Sequence, residues 1–381
     1  MNTPQDLGPN QKLINQAGSK NQLMTPAMVL DLDILEDNIH RMAEFVKSKG
    51  LSLRPHSKTH KSIAVARKQI AEGALGVCCA TLGEAEVMVS GGIEGVLITS
   101  PIVQPAKVDV VTALNGRAHG LMVVVDNMEN LLALEAASAA AGQVLRVLVD
   151  VDVGLHRTGA TTVEQAVSVA RHAHESAHLA FAGIQGYGGH LQHIGPFAER
   201  TETTKTDLQP LFDVRDALRE QGLEPAIVSG GGTGTHNIDT ELDLFTELQA
   251  GSYTVMDVQY LEVQPKAESW KFRSALVIRA TVVSANHEGS ATIDAGLKCF
   301  ATDGPRPGFA SGVPVGAHYE YFGDEHGRVV FTGANEQLNL GDVVNCVVPH
   351  CDPTINLHDI YHCVRGDTLV DIWPVDARGR H

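Results

Sequence analysis

Between Leu51 and Gly251, eight short apolar runs alternate with stretches of helical periodicity, and this alternation limits the fold more than any other feature. The runs fall at Leu51–Arg54, Gly76–Ala80, Gly95–Thr99, Leu121–Val125, Leu145–Val151, Leu179–Gln185, Ala226–Ser229 and Glu247–Ala250. The early runs are nearly continuous in apolar residues, as expected of strands covered on both faces. Helical patterns fill the gaps, among them Met128–Ala141, Val163–His174 and Thr204–Gln221. Eight strands with seven intervening helices predict an α/β fold, a (β/α)8 TIM-type barrel. A doubly wound open sheet competes, because strand count alone does not separate the two.

After Trp270 the texture changes. Val277–Ser284, Ala291–Asp294, His318–Tyr321, Val329–Thr332, Val343–Val348, Ile360–Arg365 and Leu369–Trp373 read as short strands between Gly, Asp and Asn turns. A chain of 381 residues is too long for one ordinary core. The expected division is a polar N-terminal segment (1–24), the barrel (25–265) and a mostly β C-terminal domain (266–381). An early run, Met28–Asp33, precedes a helix at Leu35–Lys47 and is an extra strand that could join the β domain.

The formal net charge of −16 repels nucleic acid and anionic membrane, so neither is expected as a partner. No apolar run approaches the ~18 residues of a membrane helix. The Asn- and Gln-rich start lacks the charged and apolar blocks of a secretion signal. Six irregularly spaced cysteines, with no Cys-x-x-Cys pair, fit a reducing compartment. The expected location is cytoplasmic.

On the barrel reading, five polar clusters follow strands and so share the face where such barrels build active sites. The first is Arg54-Pro55-His56-Ser57-Lys58-Thr59-His60-Lys61. A lysine amine is nucleophilic only when neutral, and desolvation with neighbouring positive charge lowers its pKa. Arg54, His56, His60 and Lys61 are expected to supply that pressure on Lys58, which makes Lys58 a candidate Schiff-base lysine. The alternative is a basic turn lying in solvent.

The clusters after the seventh and eighth strands are Ser229–Gly234 and Gly251-Ser252-Tyr253. Glycine lets backbone N–H groups close around an anion, so Gly231, Gly232, Thr233, Gly234, Gly251, Ser252 and Tyr253 are candidate phosphate binders. The spacing is neither that of a Walker loop nor that of a dinucleotide fingerprint. A lysine nucleophile and a phosphate cradle at one barrel mouth suggest pyridoxal 5'-phosphate. Arg157, after the fifth strand, could face the ring nitrogen and keep it unprotonated.

The β domain carries Pro349-His350-Cys351-Asp352-Pro353. In an extended segment His350 and Asp352 would share a face, with Cys351 opposite. An imidazole and a carboxylate form a partial site for a divalent metal such as Mn2+ or Mg2+. The plain alternative is a hydrogen-bonded Asp-Pro turn.

Taken together, Thr25-Pro26, the Lys58 segment, Gly76–Cys79, Asp152–Gly159, Gln185–His193, Gly230–Gly234, Leu248–Asp257, Asp294–Lys298 and His350–Asp359 resemble the D-threonine aldolase family, which includes 3-hydroxy-D-aspartate aldolases. The resemblance runs from about Thr25 to the C-terminus. It implies an alanine-racemase-like barrel with a β domain, pyridoxal phosphate on Lys58, a divalent metal on His350 and Asp352, and a homodimer. It implies cleavage of a D-3-hydroxy amino acid to glycine and an aldehyde, with His193 as general base and Tyr187 lining the cofactor pocket. Related D-serine dehydratase-like enzymes resemble His-x-Cys at the metal motif, where this chain has Asp352. Relatives usually carry Gln after the Cys pair; Ala80 and Thr81 stand here, so that contact is not carried over. The rival functions are a D-3-hydroxyamino acid dehydratase, a non-enzymatic pyridoxal-phosphate homeostasis protein and a racemase.

Overall fold

The computed structural model describes residues 7–267, 269–333 and 336–381; the first six residues of the expected polar segment lie outside them. In chain order the elements begin with β1 (Ala27–Asp31), α1 (Leu32–Ser48), β2 (Ser52–Leu53), α2 (Ile63–Ala71), β3 (Cys78–Cys79), α3 (Leu82–Ser90), β4 (Leu97–Ile98), α4 (Pro105–Asn115), β5 (Met122–Val125) and α5 (Met128–Ala140). There follow β6 (Leu145–Asp150), α6 (Val163–Glu175), β7 (Leu179–Gly186), α7 (Phe197–Asp207), α8 (Gln209–Glu220), β8 (Ile227–Gly230), α9 (His236–Asp239), β9 (Glu247–Leu248) and α10 (Val258–Leu261). The remainder is β10 (Leu276–His287), β11 (Ser290–Ile293), β12 (Gly308–Ser311), β13 (His318–Tyr321), β14 (Gly327–Val330), β15 (Val343–Val347), α11 (Cys351–Ile355), β16 (Ile360–Arg365) and β17 (Thr368–Pro374).

Strands β2 to β9 form one parallel sheet in the order β2-β9-β8-β7-β6-β5-β4-β3. A parallel bridge between His56 and Cys78 joins its two ends. That closure excludes the doubly wound alternative, in which the end strands would remain edges. The strands are short, yet Met122–Val125 is buried throughout and the wall of the barrel is continuous apolar core. At Gly183 the β7 backbone comes so close to β8 that a Cβ would lie 1.9 Å from the Ile227 carbonyl oxygen.

Helix α1 starts where the Asp31 carboxylate accepts the N–H groups of Asp33 and Ile34, the usual N-cap arrangement. The single helical pattern read over Thr204–Gln221 is two helices, α7 and α8, which meet at Leu208. Pro210 sits in the first turn of α8, where its missing N–H is harmless but where it cannot continue α7.

The second sheet is mostly antiparallel, with β1 between β10 and β16. The strand expected at Met28–Asp33 does join this sheet and pairs outside the barrel. Strand β12 was not expected, because Pro307 and Gly308 at its start mask the pattern. Leu13 and Leu23 of the N-terminal segment pack on Ala27, Val29, Val364, Leu369 and Ile372 of this sheet. Among the described residues, no helix is long and apolar enough to cross a membrane.

Candidate active site

The Lys58 segment leaves β2 and forms a 3-10 turn over Ser57–Thr59. The Ser57 hydroxyl donates to the Cys78 carbonyl at 2.9 Å, which fastens the turn to β3. The surrounding charges are not free to act on Lys58. Arg54 makes a bidentate pair with Glu247, at 2.8 and 3.0 Å. Lys61 lies 3.2 Å from Glu84. His56 and His60 are driven towards the neutral form, first by burial, His60 to about 4.

The expected depression of the Lys58 pKa is therefore overturned for the free chain. Burial lowers it and Arg157 lowers it, but Tyr187 and Asp352 outweigh both and hold the amine above its ordinary value. The Lys58 Nζ lies 3.6 Å from Asp352 Oδ2. It also stands 5.7 Å from the centre of the Tyr187 ring, and the Arg157 guanidinium lies 5.8 Å from the same ring. Lys58, Tyr187, Arg157 and Asp352 thus meet at one end of the barrel. A small cleft opens beside them, lined by Asp150, Arg157, Thr158, Gln185 and Tyr187.

A buried hydrogen-bond chain crosses the barrel interior beneath this group. It runs from Arg54 through Glu247 to Ser229, then Gln249, Gln185 and Asp150, and ends on the Thr158 hydroxyl. Burial raises Asp150 to about 6 against the bonds from Gln185 and Thr158. The chain ties the strand before Lys58 to the loop that carries Arg157.

The two glycine turns pack against each other and against the Lys58 turn. The Gly232 N–H goes to Asp239, the Gly234 N–H to the Gln192 carboxamide, and the Tyr253 N–H to the Thr233 hydroxyl. The Tyr253 phenol accepts from Gln69 of α2, away from the mouth. Gly251 abuts the Lys58 turn: a Cβ there would lie 2.7 Å from Thr59 Oγ1 and 2.9 Å from the His56 carbonyl oxygen. The backbone N–H groups of Thr233 and Ser252, both buried, have no protein acceptor among the described residues. Two unspent donors in adjacent loops, beside a lysine amine, fit a phosphate-bearing aldehyde cofactor.

The metal motif is not extended. His350 is the N-cap of α11, and Asp352 lies in that helix's first turn, with Pro353 beside it at a position where helices accept proline. Cys351 is fully buried and its N–H donates to Asp257 at 2.8 Å. His350 Nδ1 is 2.8 Å from an Asp303 oxygen. Asp352 is held below its ordinary pKa: burial opposes this, but Lys58 and His350 prevail. Among the described residues, no group of three or more His, Cys, Asp or Glu side chains is arranged to hold a metal. One imidazole and one carboxylate fit a hard or borderline cation whose remaining positions go to water or substrate oxygens.

His193 is exposed at the rim, its ring 4.5 Å from that of Tyr260. Burial of part of the ring, then His350 and Lys58, lower its pKa against the pull of Asp352, so it is neutral near pH 7. Asp257 links the parts: one oxygen caps α10 at the Tyr260 N–H, and the other accepts from Cys351.

The N-terminal part of the chain, residues 30–258, matches the alanine racemase N-terminal domain, and residues 275–364 match a putative serine dehydratase domain. A 3-hydroxy-D-aspartate aldolase of Paracoccus denitrificans (strain Pd 1222) is 37% identical over 366 residues, covering 95% of this chain and 94% of that protein. A D-threonine aldolase of an Arthrobacter species is 37% identical, with 93% of each chain covered. The chain belongs to the D-threonine aldolase family. The crystal structure of D-threonine aldolase from Filomicrobium marinum superposes with a TM-score of 0.90 at 38% identity, covering 94% of this chain and 96% of that one.

No role in this family member was expected of Asp303, Asp257, Tyr260 or Gln192, although Gln192 and Asp257 lie inside segments that carry the resemblance. Asp257 carried a usable signal, an N-cap residue type ahead of a short helix. Asp303 carried none, because its partner lies in a different loop. Three further cations, Arg273, Lys298 and His318, lie near Asp37, Glu325 and Glu320 respectively.

Proposed function

We propose that the chain is a pyridoxal-phosphate- and divalent-metal-dependent carbon–carbon lyase, cleaving a D-3-hydroxy amino acid to glycine and an aldehyde. The observation that carries the reading is the 3.6 Å approach of Lys58 to Asp352, which joins the barrel's amine to the β domain's imidazole–carboxylate motif. Residues 25–265 would form the cofactor barrel and 266–381 the metal-bearing domain. Six free, buried cysteines accord with a reducing, cytoplasmic setting. A homodimer belongs to the same proposal, and light scattering tests it.

Pyridoxal phosphate, when bound, supplies an aldehyde for a lysine amine and a sink for the electrons left on Cα by C–C cleavage. A divalent cation, Mn2+ or Mg2+, makes a hydroxyl that it binds more acidic. Lys58 would hold the aldehyde. Thr233 and Ser252 would give their N–H groups to the phosphate. Arg157 would face the cofactor ring through its guanidinium, which carries donors and no acceptor. Tyr187, whose ring centre lies 5.7 and 5.8 Å from the two cations, would line the same cleft. His350 and Asp352 would bind the metal, with Asp303 orienting the imidazole from its other nitrogen. His193, neutral near pH 7, would take the proton of the β-hydroxyl as the Cα–Cβ bond breaks. Lys58 would return a proton to Cα.

The match of residues 275–364 to a dehydratase domain keeps a second reading open: loss of the β-hydroxyl as water, leaving a 2-oxo acid. Asp352 in place of a softer cysteine ligand favours the aldolase. The deciding experiment incubates the enzyme with D-threonine, 3-hydroxy-D-aspartate and D-phenylserine and identifies the products. Glycine plus an aldehyde is expected. A 2-oxo acid alone would establish the dehydratase, and bound cofactor without turnover in Mn2+ would establish a non-enzymatic carrier.

A further inference from the structure

Neither ring nitrogen of His193 makes a hydrogen bond among the described residues, and the side chain is exposed. An exposed, unbonded imidazole samples several rotamers, so its aim depends on its own backbone and on the Tyr260 ring beside it. One side chain bonds to the loop that follows each support. Arg200, in α7, is 2% exposed. Its Nη1 donates to the carbonyls of Ile194 and Gly195, at 2.5 and 3.0 Å, immediately after His193. Its Nη2 donates to the Gln264 carbonyl at 2.5 Å, just beyond the helix that carries Tyr260. The Gln264 N–H returns to the Gly195 carbonyl at 3.1 Å, which closes the two loops on each other.

Burying a guanidinium costs free energy unless an anion accompanies it, and among the described residues no carboxylate pairs with Arg200. Its Nε has no partner either. An apolar residue would fill the volume at less cost but could not hold three carbonyls in fixed positions. We propose that Arg200 is a positioning residue, a latch between the 194–195 and 264 loops that aims His193 through the Tyr260 contact. The proposal rests on the reading of His193 as the base.

The test is a double-mutant cycle on the holoenzyme with Mn2+, measuring D-threonine cleavage. Arg200→Met should lower kcat by about 10²-fold, the scale of a 1 Å misplacement, with KM and the cofactor absorbance within twofold of wild type. Placed on His193→Ala, the same change should cost less than twofold, because there is no base left to aim. Arg200→Lys, which keeps the charge but reaches one loop only, should also lose activity, and guanidinium should restore Arg200→Ala. Equal losses in both backgrounds, or full activity in Arg200→Met, would overturn the latch. If Arg200→Met does not fold, Arg200→Lys and Tyr260→Leu take its place in the cycle. Amide hydrogen exchange gives an answer without turnover: residues 191–196 and 258–264 should both exchange faster in Arg200→Lys, and unchanged rates in either segment count against the proposal. A wild-type enzyme that cleaves no D-3-hydroxy amino acid ends the aldolase reading, whereas additive losses in an active enzyme end only the latch.

Discussion

The Lys58 amine and the Asp352 carboxylate face each other at 3.6 Å, one from the first loop of the barrel and the other from a helix of the β domain. In the chain without cofactor the carboxylate stabilises the ammonium form. On the proposed function, cofactor and metal binding would be coupled: a cation on Asp352 would compete with Lys58 for the carboxylate, and releasing the amine from that pair would favour its neutral, nucleophilic state. Saturating Mn2+ should accelerate the growth of the long-wavelength cofactor absorbance, and chelation should slow it. Equal rates with and without metal would show that the pair does not control the amine.

The two partners separate by mutation. Lys58→Ala should lose the long-wavelength band and all detectable turnover. Asp352→Ala should keep the band and lose activity by at least about 10²-fold, because metal-assisted ionisation of the hydroxyl is lost. Absorbance spectroscopy and glycine release measure the two effects independently. An Asp352→Ala enzyme that stayed fully active after chelator treatment would remove the metal from the mechanism.

His193→Ala should lower kcat by about 10² to 10⁴-fold, the usual range for a general base, while the cofactor spectrum and metal affinity remain. The burial and neighbouring cations that lower the His193 pKa set the direction of the pH profile. A base whose pKa lies below its ordinary value keeps its activity to lower pH than a free histidine would. The acid limb of kcat should accordingly fall below about pH 6.5. An acid limb above that value would assign the proton transfer to another group.

How much of this arrangement was legible in the sequence depends on whether a residue's partners are its neighbours. The barrel was legible because apolar runs such as Met122–Val125 carry their burial in their own composition. The gathering of Lys58, Arg157 and Tyr187 followed, since each lies just after a barrel strand. The electrostatics of Lys58 did not follow. Arg54 and Lys61 are adjacent in sequence, but Glu247 and Glu84 neutralise them from other elements. The shape of His350–Asp352 was misread for a related reason: an Asp-Pro step suits both a turn and a helix start, and only the packing of Cys351 against Asp257 selects the helix.

His60 gives the fold a share of its acid sensitivity. It is fully buried, and burial lowers its pKa to about 4, while an unfolded chain protonates it near 6.5. A base with a depressed folded pKa contributes stability that is complete above about pH 6.5 and is lost as pH falls through about 4, up to about 3 kcal/mol. Asp239, raised by burial to about 7, acts in the opposite sense: its contribution is present below about pH 4 and fades as pH rises through 7. The wild-type profile mixes both, so the informative quantity is the difference from His60→Gln. That variant should be less stable than wild type at pH 8, with the gap narrowing towards pH 4 in thermal melts. A gap independent of pH would mean that His60 titrates normally.

Glu247→Ala should be among the most damaging single changes in the barrel. The Arg54–Glu247 pair is almost wholly enclosed, and Glu247 also accepts from Ser229. Removing the carboxylate leaves a guanidinium buried against the carbonyls of Leu75 and Gly95 alone. The loss of one partner of a buried pair typically costs about 3–5 kcal/mol, most of it for the charge left behind. Replacing both partners, as in Arg54→Met with Glu247→Leu, should recover much of the stability in urea denaturation. It should not recover activity, because the hydrogen-bond chain from Arg54 to Thr158 would still be cut beneath Lys58 and Arg157. A double variant with both stability and activity restored would show that the chain supports the fold without shaping the site.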